Sequence, residues 1–128
     1  MVKDKNIENF DLIVLGSGPA GEKGAAQAAY FGKKVAIIEK DQYLGGAAAG
    51  TTIPSKTLRE TSLTLSGIKA RKLHGVDLAL KHRATVKDFL HHERVVKEAE
   101  RNRVMENMNR HNITIYKGLG SFIDGQTI

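Results

Sequence analysis

The chain has 128 residues, a formal net charge of +6 and no cysteine, so its length allows one domain with a core and its composition excludes disulfides, thiolate nucleophiles and thiolate metal sites. Its basic residues are interleaved with Asp and Glu, and the one local cluster, Lys69-Ala70-Arg71-Lys72, has no aromatic platform beside it, which argues against a nucleic acid partner. No apolar run approaches the ~20 residues needed to cross a bilayer, and the first nine residues lack the apolar centre of a signal peptide. A soluble, cytoplasmic chain with no membrane partner is expected.

The predicted elements begin with a short apolar strand over Asp11–Leu15, followed by the turn Gly16-Ser17-Gly18-Pro19-Ala20-Gly21 and a helix over Ala20–Phe31. The helix carries Ala25, Ala26, Ala28 and Ala29 for close packing on a sheet, and Gly32 can cap it, with Lys33 and Lys34 near its negative end. A second strand, Lys34–Glu39, shows no polar alternation, as in a strand buried on both faces. The turn has the spacing Gly-x-Gly-x-x-Gly. Gly16 permits a tight turn, Gly18 lets a pyrophosphate approach the backbone, and Gly21 lets helix and strand pack closely. The helix N-terminus offers unpaired N–H groups to phosphates. Glu39 follows Gly16 by 23 positions, close to the ~20 at which a carboxylate meets ribose hydroxyls. Strand, turn, helix, strand and carboxylate together predict the ADP half of a dinucleotide site.

A glycine- and alanine-rich loop, Lys40–Gly50, leads through Thr51-Thr52-Ile53-Pro54-Ser55-Lys56 into a helical stretch ending near Ala70, and Gly75 breaks that pattern. A second long helix is predicted over Val86–Arg110, started by Thr85 or Asp88, with Phe89, Leu90, Val96, Ala99, Met105 and Met108 at mostly helical spacings. The methionines read as core fillers, and the two helices can form an αα-hairpin. His91 and His92 are adjacent, hence about 100° apart on a helix, and no His, Asp and Glu set has ligand spacing, so no metal is expected. No Ser/His/Asp grouping or carboxylate pair points to hydrolysis. Ile113–Tyr116 alternates as a strand, and Ser121–Asp124 reads as another, with Asp124-Gly125 as a hairpin turn. Only three residues follow that turn, so residues 1–128 read as the N-terminal part of a domain cut short.

The segment Gly45-Gly46-Ala47-Ala48-Ala49-Gly50-Thr51-Thr52-Ile53-Pro54-Ser55-Lys56, coming soon after Glu39, resembles the flavoprotein disulfide reductase family, which includes dihydrolipoamide dehydrogenase, glutathione reductase and mercuric reductase. The resemblance continues through Lys56-Thr57-Leu58-Arg59-Glu60, the helical pair, Tyr116–Gly120 and Ser121–Asp124, and so covers nearly the whole chain. It implies an α/β, Rossmann-like FAD-binding domain fragment: a parallel sheet, an inserted helical hairpin and the start of a β-meander. It also implies FAD as cofactor, with Gly16, Gly18, Pro19, Ala20 and Gly21 around the pyrophosphate and Glu39 on the adenosine ribose. Lys40, Gly45 and Gly46 would line the same site, Thr51 and Thr52 would touch phosphate or flavin, Lys56 would approach the flavin N5 region, and Gly120 the adenine end.

Family members carry two cysteines in this loop. Here Thr52 stands at the flavin-proximal position, and Ala47 or Ala48 at the other. Thr52, with Ile-Pro-Ser-Lys-Thr-Leu-Arg-Glu, is similar to the soluble transhydrogenase branch, which passes hydride between NADPH and NAD through FAD without a redox disulfide. For an intact protein of that kind NAD and NADP are the expected substrates and a homodimer the expected assembly, while the fragment itself would not be catalytic. The loop between Gly46 and Ile53 is one residue shorter than the family pattern, a difference of about 100° in helix phase. Two other readings stay open on the residues alone: a fragment of an NAD-dependent Rossmann dehydrogenase, and a nucleotide-binding or interaction module without catalysis.

Overall fold

The computed structural model describes residues 7–70 and 85–128. Gly75 and the Arg71-Lys72 end of the basic cluster lie outside the described residues. Strand β1 (Leu12–Leu15), helix α1 (Pro19–Tyr30) and strand β2 (Val35–Glu39) come first. They are followed by a π turn (Ala48–Thr52), helices α2 (Ile53–Ala70) and α3 (Val86–Arg110), and strand β3 (Thr114–Lys117). The three strands form one parallel sheet in the order β1-β2-β3. Leu15 lies opposite Ile38, and Glu39 opposite Lys117, so the Gly16–Gly21 turn and Glu39 emerge side by side at the same sheet end. This is the α/β, Rossmann-like arrangement expected of an FAD-binding fragment.

The core lies between one sheet face and α1 with α3. Ala25 and Ala26 of α1 pack with Val35 and Ile37 of β2, Leu44, Val104 and Met108 of α3, and Ile113. Small alanines on α1 let the helix sit close to the sheet, and Gly21 takes this to its limit. A Cβ at Gly21 would lie 2.2 Å from the Gly16 carbonyl oxygen and 3.1 Å from Val14 Cγ1. β2 is buried over nearly its whole length, as its unbroken apolar run predicts. Of the two methionines on α3, Met108 is fully buried, whereas Met105 is exposed; Val104 takes the core position beside Met108.

Both helix ends that return the chain to the sheet are closed in the same way. After α1, Gly32 adopts φ +78°, its N–H bonds Ala29 O at 2.9 Å, and Lys33 N–H bonds Ala28 O at 3.2 Å. After α3, Asn112 adopts φ +52°, with Asn112 N–H on Asn109 O at 3.1 Å and Ile113 N–H on Met108 O at 3.1 Å. Each pair of bonds is a Schellman motif; the second adds the apolar contact of Ile113 with Met108. At its start α3 has a capping box, in which Asp88 N–H bonds the Thr85 hydroxyl and Thr85 N–H bonds the Asp88 carboxylate. Thr85 is therefore the cap and Asp88 its partner. α2 packs along α3, which forms the predicted helical pair.

The expected strand at Ser121–Asp124 is not formed. The turn beyond it does close, with Ile123 N–H on Thr127 O at 2.8 Å and Gln126 N–H on the Asp124 carboxylate at 2.8 Å. Phe122 and Ile123 stay exposed, and no strand in the described residues pairs with them. Apolar residues alone do not make a strand without a ladder partner.

Two alanine substitutions in α1 should have opposite signs. Gly21→Ala forces a Cβ into backbone and should cost about 1–3 kcal/mol. Gly24→Ala meets nothing within 4 Å and should gain about 0.5–1 kcal/mol from helix propensity. Urea denaturation of both variants measures the two values.

Candidate dinucleotide site

The site is built where β1 and β2 end. Gly16 turns the chain at φ +90°, and its N–H remains in the ladder on Ile38 O at 2.8 Å. Gly18 is the N-cap of α1 and Pro19 its first residue; Glu22 N–H closes the first turn on Gly18 O at 2.8 Å. Proline at this position lacks an N–H that would have no helical partner in any case. The helix therefore directs the N–H groups of Ala20 and Gly21 at whatever lies above Gly18, with the positive end of its dipole behind them. A Cβ on Gly18 would enter space with no protein atom within 4 Å. The backbone at Gly18 is therefore open to approach from outside, and the residues present fit a diphosphate.

Ser17 and Glu39 hold the cradle together. Both are buried, with relative exposures of 0% and 3%. Glu39 Oε2 accepts from Ser17 N–H at 2.8 Å and from Ser17 Oγ at 2.5 Å, and Oε1 accepts from Asp41 N–H at 2.9 Å. Ser17 Oγ in turn accepts from Gly45 N–H at 3.0 Å. Burial pushes the Glu39 carboxyl upward in pKa, but the Ser17 and Asp41 hydrogen bonds and the Lys117 charge outweigh it and hold the group below the usual range. A carboxylate has about four lone-pair positions, and three are occupied here. One acceptor position, on Oε1, is left without a partner among these bonds.

The loop after β2 folds back onto the glycine turn. Gly46 adopts φ +54°, and a Cβ there would lie 3.1 Å from Gly18 Cα, so its backbone forms a wall of the cradle. Gly45 adopts φ +103°, and a Cβ there would lie 2.5 Å from Ala49 Cβ. Lys117 Nζ donates to the Gln42 carbonyl at 3.1 Å and steadies the same loop. Next to it Arg101 stacks on the Tyr43 ring, 3.7 Å from the centroid, at a cavity of about 160 Å³ that also touches Asp41, Gly46 and Gly50.

The other predicted site residues are spread more widely. Lys40 is exposed just beyond β2. Thr51 and Thr52 are exposed on the π turn, and Thr51 Oγ donates to Ala47 O at 2.9 Å. This turn, in which Ile53 N–H bonds Ala48 O, leads directly into α2. Lys56 is exposed in the first turn of α2. Gly120 crosses the sheet end, where a Cβ would lie 2.6 Å from Leu15 Cδ2. Among the described residues no group of three or more His, Asp and Glu side chains could hold a metal ion, and no helix is long and apolar enough to cross a membrane.

A glycine turn between parallel strands, a helix N-terminus above it and a carboxylate on the neighbouring strand define a dinucleotide-binding α/β domain. A sequence model of the FAD-dependent oxidoreductases matches residues 11–118, and the chain belongs to that family. It is similar to the soluble pyridine nucleotide transhydrogenase of Mycobacterium tuberculosis, with 42% identity over 95% of this chain and 26% of the relative. The protein of the same name from Colwellia psychrerythraea is 35% identical over 94% of this chain and 26% of its own length. That of Chromohalobacter salexigens is 57% identical over a shorter stretch, 41% of this chain and 12% of the relative. The chain thus spans about a quarter of the length of the curated relatives it matches over nearly all its residues.

Sequence reasoning missed Ser17, Asp41 and Lys117, and it missed a second buried carboxylate altogether. Glu22, in the first turn of α1, is 2% exposed. Its Oε1 and Oε2 accept from Arg103 at 3.0 and 3.1 Å, and Oε1 accepts from Asn107 Nδ2 at 2.8 Å. Burial raises its pKa, and the bonds from Arg103, Asn107 and Lys23 bring it below the ordinary value. A signal for Ser17 was present: parallel pairing of β1 with β2 places the residues just past Leu15 beside those just past Ile38.

Ser17→Ala removes the hydroxyl that joins Glu39 to Gly45 and should lower stability by about 1–3 kcal/mol in urea denaturation. Both Glu22 and Glu39 have native pKa values below the ordinary 4.5. Their stabilisation is therefore present above that value and lost as pH falls through the depressed native ones. Melting temperatures measured from pH 7 to pH 3 should decline more steeply in the wild type than in Glu22→Gln or Glu39→Gln.

Proposed function

We propose that this chain is the FAD-binding portion of an oxidoreductase that passes hydride between NADPH and NAD. The observation that carries the reading is the cradle over Gly18, bounded by the α1 N-terminus and Gly46 and flanked by Glu39. The names of the relatives supply the reaction. FAD, when bound, accepts and returns the hydride at its ring; the protein supplies orientation, charge and exclusion of water.

In this reading the Ala20 and Gly21 N–H groups hold the pyrophosphate, with Gly16, Gly18 and Pro19 giving the backbone approach. Glu39 accepts one ribose hydroxyl on its open Oε1 position. Gly45 and Gly46 wall the cradle, Lys40 lies at its rim, and Gly120 lets the chain pass close to the adenine end. Thr51, Thr52 and Lys56 face the flavin side, where the ammonium of Lys56 favours an electron-rich ring. These 128 residues hold no cysteine and so supply none to a redox disulfide. The chain alone binds flavin without turning over.

Titrating the 128-residue chain with FAD and following flavin fluorescence tests this. Saturable one-to-one binding, tighter for FAD than for NAD, is the expected result. Glu39→Gln should weaken it roughly tenfold, in line with loss of one charged hydrogen bond. A chain with a normal far-ultraviolet circular dichroism spectrum and no affinity for FAD would refute the reading.

A further inference from the structure

The buried Glu22 presents an electrostatic problem to the site just described. It follows the N-cap Gly18 by four residues, which is about 6 Å along the helix axis. A carboxylate there draws on the same positive helix end that a diphosphate would use, and it repels the diphosphate directly. Its burial makes that repulsion poorly screened. The structure answers the charge from α3. Arg103 grips both carboxylate oxygens at 3.0 and 3.1 Å, Asn107 adds a bond at 2.8 Å, and Lys23 approaches at 3.3 Å. Arg103 is itself fixed by Glu100 on the preceding turn, through Nε at 2.9 Å and Nη2 at 2.8 Å. A planar guanidinium held on two sides cannot swing away from Glu22 as a lysine could.

We propose that Arg103 is a positioning residue for the dinucleotide diphosphate. Together with Lys23 it offsets the charges of Glu22 and Glu100, and so leaves the helix N-terminus electropositive toward the ligand. The inference rests on the reading that the Gly18 cradle takes a diphosphate. Arg103 acts from α3, through Glu22, as a charge from outside the glycine turn. Without it, one uncompensated charge would face phosphates on the order of 10 Å away, and at an effective dielectric of about 20 this corresponds to roughly a tenfold loss of affinity.

The test compares FAD dissociation constants and melting temperatures of the 128-residue wild type, Arg103→Met, Glu22→Gln and the double variant. Arg103→Met should bind FAD about tenfold more weakly, Glu22→Gln at least as tightly as the wild type, and the double variant should recover wild-type affinity. Glu22→Gln is the decisive readout: it breaks the clamp as Arg103→Met does, so a merely structural clamp would weaken FAD binding in both, whereas the charge effect weakens it only in Arg103→Met. If Arg103→Met does not fold, Arg103→Gln, which keeps a donor for Glu22, carries the same change of charge. Wild-type affinity in the Arg103 variant would overturn the proposal while leaving the FAD reading intact. So would a loss that the double variant does not restore. A folded wild type with no FAD affinity would remove both.

Discussion

The buried carboxylate of Glu39 is the constraint on which the site depends. An ionised group removed from water is tolerated only with its hydrogen bonds made, and here the partners come from two separate segments. Ser17 N–H and Oγ belong to the glycine turn, and Asp41 N–H to the loop after β2; that loop returns at Gly45 to the Ser17 hydroxyl. Each segment would otherwise be a loop with exposed backbone groups. Together they fix the mouth of the cleft before any ligand arrives, which reduces the ordering cost of binding. One carboxylate thus ties the glycine turn to the loop after β2.

Glu22 solves a different problem. The sheet buries one face against α1, and α3 must be placed in the same layer although it lies some eighty residues further along. Val104 and Met108 of α3 enter the core, while Arg103 and Asn107, each one residue earlier, reach Glu22 at the margin of the same contact. The i, i+4 spacing of both pairs means that one helix face sets apolar and polar contacts together. A buried ion pair offers little net stability against an apolar pair of the same shape. Its effect here is on register: α3 sliding by one turn would leave Glu22 charged and unpaired.

Local chemistry made much of this legible in the sequence. The unbroken apolar run of β2, the Thr85 start of α3 and the Gly32 end of α1 are carried by neighbouring residues, and each is found within a residue or two of its expected place. Asn112 was harder to see, because asparagine enters the left-handed region less often than glycine and its Schellman motif has no glycine to mark it. Val104 and Met105 compete for one helix face, and the sequence pattern favoured the larger residue. The Glu22–Arg103 pair joins residues 81 positions apart, and no local pattern can announce it. Ser121–Asp124 had the composition of a strand, but a strand also needs a neighbour.

The hydroxyls of the π turn and α2 sharpen what the cysteine-free loop can do. Thr51, Ser55, Thr57, Thr61 and Thr64 each donate to the carbonyl four residues back, at 2.7 to 2.9 Å. A hydroxyl bonded in this way has used its only proton on the helix and can act outward only as an acceptor. Anionic phosphate oxygens need donors, so Thr51 cannot serve them while that bond stands. Of Thr51, Thr52 and Ser55, the side chain of Thr52 alone makes no such bond among the described residues. Its proton is the uncommitted one of the three. The hydroxyl at this position offers a donor and no thiol chemistry. The donors at this sheet end that have no helical partner are the backbone N–H groups of the first turn of α1, and the buried charge of Glu22 lies in that same turn.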